Sequence, residues 1–248
     1  MVQTLIRLAS TGLIVSISAC LGVDLVAPAP YQPSASITLR QRADTMQLVQ
    51  LTVIFHPGMN DGGMPRFIPD KNLLIDGATV RPSSSFDGFE RYDRSFPLPA
   101  TPSGARYVSV TLPAVPEGKL LPVTVTLPVI RRVGPRDVAF NPATGLSLDY
   151  DLDVSAMSPD EARWNLRLGA PCGPGVPFAA LDVLGVPPKP VTVPRIIIDP
   201  GAHSDFEACL RFSWHDQLRE APYTIAVVVS AELEWHLFID GAPVLLAK

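Results

Sequence analysis

Proline, more than any other residue, limits what this chain can become. It occurs 27 times in 248 residues, about 11% and roughly twice the usual share. Each proline fixes φ and removes a backbone donor, so it breaks helix interiors and is tolerated at turns, strand ends and sheet edges. No stretch between the prolines holds a convincing long helical period. Proline and glycine together reach only about 18%, below the level of a low-complexity chain. With 47% apolar residues the chain can bury a sizeable core. The expectation is an all-β fold.

Alternation supports it. Ile37, Leu39 and Gln41 alternate with Thr38, Arg40 and Arg42; Val49, Leu51, Val53 and Phe55 oppose Leu48, Gln50, Thr52 and Ile54. Residues 73–80 read as a hairpin turning at Asp76-Gly77. Further strands are expected over residues 106–112, 121–130, 138–140, 146–154, 163–168, 178–183, 191–198, 208–214 and 223–239. Ser158-Pro159-Asp160-Glu161 suits a single helical turn. The run Arg131-Arg132-Val133-Gly134-Pro135-Arg136 reads as a boundary. This divides the chain into residues 37–133 and 134–248, each of a size that suits one sandwich. A fragment starting near Asp137 is then expected to fold alone. Over residues 137–240 the strand pattern resembles a fibronectin type III or related immunoglobulin-like domain, although the antibody Cys–Trp–Cys arrangement is absent. The resemblance implies two tandem immunoglobulin-like β-sandwiches.

The first nineteen residues read differently. Arg7 precedes an apolar run over residues 8–17, too short to span a bilayer and the right length for a secretory signal. The run closes on Ile17-Ser18-Ala19-Cys20. This resembles the lipobox of bacterial lipoproteins, with a thin positive segment ahead of it. The resemblance implies cleavage before Cys20 and acylation of Cys20, with residues 1–19 as the signal peptide. Leu21, rather than Asp, follows the cysteine, which by the same resemblance points to the outer membrane, on its periplasmic or surface face. The alternative is the outer face of a plasma membrane. Residues 20–36, with Pro28, Pro30 and Pro33, read as a tether, part of which can instead lie along the domain as a first strand.

Once Cys20 carries lipid, Cys172 and Cys209 remain as a pair, expected to form a disulfide in an exported protein; two separate buried thiols are the alternative. Without residues 1–19 the balance is 19 basic against 24 acidic side chains, about −5, which argues against a nucleic-acid surface.

The chemistry-bearing residues make a short inventory. Asp149, Asp151 and Asp153 share one strand face, spaced too widely for one cation, and read as a solvated face. His56, His203, His215 and His236 have no zinc spacing, and His203-Ser204-Asp205 cannot relay a proton as three consecutive residues. No Gly-x-Ser-x-Gly elbow occurs. Trp164, Trp214 and Trp235 lie on alternating apolar faces and read as core rather than sugar platforms. The candidate ligand loops are Asn60-Asp61 with the glycines after it, and Phe86, Asp87, Phe89 and Tyr92, whose aromatics either stack on a ligand or cover the core. No catalytic residue, metal or cofactor is expected. The reading is a lipid-anchored cell-envelope module, non-catalytic, that binds an envelope protein or glycan or serves in assembly. The alternatives are a carbohydrate-binding or accessory domain of a surface hydrolase system, and an enzyme with an unrecognised site.

Overall fold

The structure, a computed structural model, describes residues 32–42, 48–97, 106–141, 143–194, 205–218, 223–240 and 242–246. The expected signal peptide, Cys20, most of the tether, His203 and Ser204 lie outside them. Among the described residues there is no α-helix, and the chain is all-β. The first half forms β1 (Ser34–Arg42), β2 (Leu48–His56), β3 (Leu73–Ile75), β4 (Ala78–Val80), β5 (Ser84–Phe86), β6 (Phe89–Pro97), β7 (Arg106–Leu112) and β8 (Val123–Val129). The second forms β9 (Arg131–Asn141), β10 (Gly145–Asp153), β11 (Ala162–Leu168), β12 (Ala179–Leu184), β13 (Val191–Pro194), β14 (Asp205–Leu218), β15 (Thr224–Asp240) and β16 (Ala242–Leu246). Two 3-10 turns, Pro116–Gly118 and Pro159–Glu161, interrupt them; Ser158 precedes the second but makes no side-chain cap.

These strands build one long sheet and two short ones. The long sheet runs β12-β11-β14-β15-β1-β2-β6-β5, with β16 also on β15; the short sheets are β4-β3-β7-β8 and β13-β10-β9. Each short sheet draws on one half of the chain, apart from the first residues of β9. The long sheet draws on both, because β1 uses both of its edges. It pairs antiparallel with β2 and parallel with β15, from Ser34 beside Thr224 to Arg42 beside Glu232. Ser34, Ala35 and Ser36 open β1, so this part of the expected tether lies along the domain as its first strand. One expectation is corrected. The boundary after Val133 falls inside β9, where Gly134 and Pro135 oppose Asp151 and Tyr150 of β10. Charge and proline made this segment look like a linker. A proline is tolerated there because β9 is the last strand of its short sheet.

Period-two alternation gives each sheet an apolar face, and those faces form one continuous core. Ile37, Leu39, Val49, Leu51, Val53 and Phe55 enter it from β1 and β2, and Ile225, Val227, Val229, Leu233 and Trp235 from β15. Fully burying one such side chain contributes about 1.5–3 kcal/mol. Trp164, Trp214 and Trp235 are all buried and offer no stacking platform. Of the polar groups that enter, the indole N–H groups of Trp214 and Trp235 find no hydrogen-bond partner among the described residues, whereas Gln41 is matched. Gln41 donates from Nε2 to Ile130 O and accepts from Ile130 N, both at 2.8 Å, so its amide acts as a strand neighbour for the chain between β8 and β9. Arg94 of β6 donates to Ile75 O of β3 at 2.8 Å and ties the long sheet to a short one.

Candidate functional site

β2 ends at His56, and the chain then leaves the sheet for residues 57–72. This loop is held from within. Asn60 Oδ1 accepts from Gly62 N at 3.0 Å and Met64 N at 2.9 Å, and Arg66 N donates to Gly58 O at 3.0 Å. Asn60 is therefore occupied in building the loop. Asp61 stands exposed at its tip. The second candidate segment is the β5–β6 turn. Asp87 and Gly88 both take positive φ, 45° and 80°, the geometry of a tight hairpin turn.

The structure brings these two segments together. A Cβ on Gly88 would stand 2.6 Å from Pro65 Cγ, so only glycine lets the turn seat against the loop. Lys71 Nζ pairs with the buried Glu90 at 2.6 Å, and Tyr92 donates its hydroxyl to Lys71 O. Burial raises the Tyr92 pKa, with the Glu90 charge adding to it. Tyr92 faces the core, so among the candidate aromatics it offers no ligand surface. Phe89 is half-buried, 4.6 Å from the His56 ring and stacked on Phe86 at 5.6 Å. His56 is buried beneath them and accepts from Gly58 N through Nδ1 at 3.0 Å; burial lowers its pKa.

A third segment, which carries no motif of its own in the sequence, joins this end. Residues 113–122, between β7 and β8, lie beside the loop: the Arg66 guanidinium rests against Gly118. Tyr223 donates to Leu121 O at 3.1 Å, and Thr224 N donates to Pro33 O at 3.1 Å. Four large apolar side chains are exposed on these three segments: Met64 at 64%, Phe67 at 60%, Phe86 at 55% and Leu121 at 78%. In sequence each looks like an isolated loop residue, and nothing local marks them as neighbours.

On the other side of the molecule Cys172 and Cys209 form the expected disulfide, with Cα atoms 5.0 Å apart. The loop that carries Cys172 has few apolar groups, yet it is well held. Arg167 donates to the carbonyls of Pro171, Gly173 and Gly175, and Arg211 Nη2 donates to Cys172 O at 2.8 Å. Arg211 also pairs with the buried Glu232 at 2.8 Å, which takes Arg40 at 2.6 Å and Arg42 at 3.7 Å from β1. One carboxylate thus gathers three guanidiniums across three strands. The sequence could not show this cluster, since it depends on the β1–β15 pairing.

No protein-family model and no curated protein matches this chain.

Among the described residues the remaining candidates do not converge. Asp151 pairs with Arg136 at 2.6 Å and Lys189 at 3.4 Å, while Asp149 and Asp153 bond to nearby backbone. His236 Nε2 lies 3.0 Å from Asp205, above a shallow depression of about 480 Å³ lined by Phe178, Phe206 and Glu207, with no hydroxyl or thiol among the described residues of its wall. His215 lines a separate depression with Asp160, Glu161 and Arg163. Among the described residues no group of three His, Cys, Asp or Glu could hold a metal ion, and no helix is long and apolar enough to cross a membrane.

Proposed function

We propose that this protein is a lipid-anchored cell-envelope module, acylated on Cys20 and held at the outer membrane, that works by binding through the three-segment end and performs no chemistry. The observation that carries the reading is the meeting, at one end of the sandwich, of three segments that expose Met64, Phe67, Phe86 and Leu121. Exposed apolar groups in contiguous segments mark an interaction surface, whereas a small-molecule site needs a concave pocket with convergent polar groups. The buried Cys172–Cys209 disulfide agrees with export to an oxidising compartment. The apolar character of the end favours a protein or lipid surface over a glycan, which would want exposed aromatics in a row; among the described aromatics only Phe67 and Phe86 are exposed there.

The anchor is tested by expressing the full chain with Cys20→Ala beside the wild type, with a clickable fatty acid in the medium. The expected outcome is acyl label and a processed, membrane-fractionating product for the wild type, and no label and no processing for the variant. Equal labelling of the two would remove Cys20 as the anchor.

A further inference from the structure

We propose that the apolar end formed by Met64, Phe67, Phe86 and Leu121 seats on the bilayer to which the protein is anchored, so that lipid and protein tip hold the molecule by the same end. The inference rests on the lipid-anchor reading and names the partner of that end.

Three observations lead to it. The first is where the chain enters the fold. β1 begins at Ser34, and Ser34 stands opposite both His56, the last residue of β2, and Thr224, the first of β15. Residues 57–72 follow His56, the Asp87-Gly88 turn precedes β6 beside it, and Tyr223 holds residues 113–122 there through Leu121 O. The end that carries the four exposed apolar side chains is therefore the end at which the chain arrives from Cys20.

The second is the length of chain between anchor and fold. Twelve residues separate Cys20 from Pro33, a reach of roughly 40 Å at full extension. A tether this short keeps the tip at an effective concentration in the millimolar range relative to the membrane surface. A contact too weak to recruit a free protein is then occupied for much of the time.

The third is charge. Lys71 is matched by Glu90, which leaves Asp61, Asp70, Asp87 and Glu117 against Arg66 and Lys119 on these segments. The end is mildly acidic, so anionic headgroups do not attract it. The attraction comes from apolar side chains entering the interface, and it does not need anionic lipid. The same four groups are more than half exposed and lie outside the buried core, although Phe86 also stacks on Phe89, so replacing them is expected to leave the overall fold in place.

The experiment uses the full-length acylated chain reconstituted into phosphatidylcholine vesicles, and a variant carrying Met64→Ser, Phe67→Ser, Phe86→Ser and Leu121→Ser. Amide hydrogen exchange is followed with and without vesicles, circular dichroism confirms that both proteins keep the same fold, and mass spectrometry reports the acyl chains on Cys20. The expected result is slowing by about tenfold in residues 57–72, 86–89 and 113–122 when the wild type is on vesicles, unchanged at 0.5 M salt and lost in the variant. Acylated, vesicle-bound protein with no slowing in those segments overturns the seating and leaves the anchor standing. Slowing that disappears at 0.5 M salt overturns it as well, since it marks an electrostatic contact. Slowing that needs a second envelope protein added to the vesicles overturns it in favour of a protein partner. Absence of acyl chains on Cys20 overturns both readings, because nothing then brings this end to a membrane.

Discussion

Two buried polar residues show how single side chains set the limits of this fold. His56 lies under Phe89 and accepts from Gly58 N, which requires an unprotonated Nδ1. Burial holds its pKa below the usual value near 6.5, so the unfolded chain binds the extra proton first. The contribution of neutral His56 to stability is complete above about pH 6.5 and is lost as pH falls from there towards the lower folded value. The urea midpoint of the wild type is expected to fall more between pH 7.5 and pH 5.5 than that of His56→Gln; equal falls would show that His56 does not couple to folding. Glu232 acts in the opposite sense, as the charge its neighbours need. Glu232→Gln leaves Arg40, Arg42 and Arg211 facing one another. Losing one partner of a fully buried pair costs about 3–5 kcal/mol, and the three arginines are partly exposed, so the expected loss is about 2–3 kcal/mol by chemical denaturation. A loss that persists undiminished in 1 M salt would argue for lost packing instead.

At the scale of elements, the loop of residues 169–177 depends on both covalent and polar ties. The disulfide closes a span of 37 residues onto β14, and Arg167 and Arg211 bind the carbonyls around Cys172. Cys172→Ser keeps the polar ties and removes the crosslink. The expected loss is about 2–4 kcal/mol, which for a chain of this size lowers the melting temperature by roughly 4–16 °C. Calorimetry of the oxidised wild type and the variant measures it directly, and identical melting would assign the holding of the loop to the arginines. The β5–β6 turn is a simpler element. Asp87-Gly88 has the same dipeptide as Asp76-Gly77, and both adopt positive φ. Only the first hairpin was legible beforehand, because Leu73, Leu74 and Ile75 flank it, whereas Ser84 and Ser85 give β5 a polar strand with no apolar period.

The whole molecule is organised by the pairing of β1 with β15. Nine residues of β15 find their partners almost 200 positions away. A fragment beginning at Asp137 loses that edge, together with Arg40 and Arg42 at Glu232 and the carbonyls of Pro113 and Leu121 at Tyr223. β15 keeps β14 on one side but exposes an unpaired edge over the nine residues from Thr224 to Glu232, and such an edge is an aggregation template. The fragment is therefore expected to aggregate or to lack a cooperative melt in size-exclusion and circular dichroism measurements, contrary to the independent folding that the strand pattern suggested. A monomeric fragment with a sharp transition would show that the second half is self-sufficient. Adding residues 32–42 as a peptide is expected to restore solubility if the missing edge is the cause.

What the sequence determined by itself is what period and parity can carry. Alternation decided which side of Val49, Leu51 and Val53 faces inward, because successive side chains on a strand point to opposite faces whatever lies next to it. Proline density argued against long helices from Pro28 onward, and Cys172 and Cys209 were the pair expected to join. What only the tertiary structure decided is who stands beside whom. The parallel seam between β1 and β15, the three arginines on Glu232 and the meeting of residues 57–72, 86–89 and 113–122 all join residues from distant parts of the chain. Such pairings are selected by the fit of whole faces and edges after strands form, and no local window of sequence contains both partners.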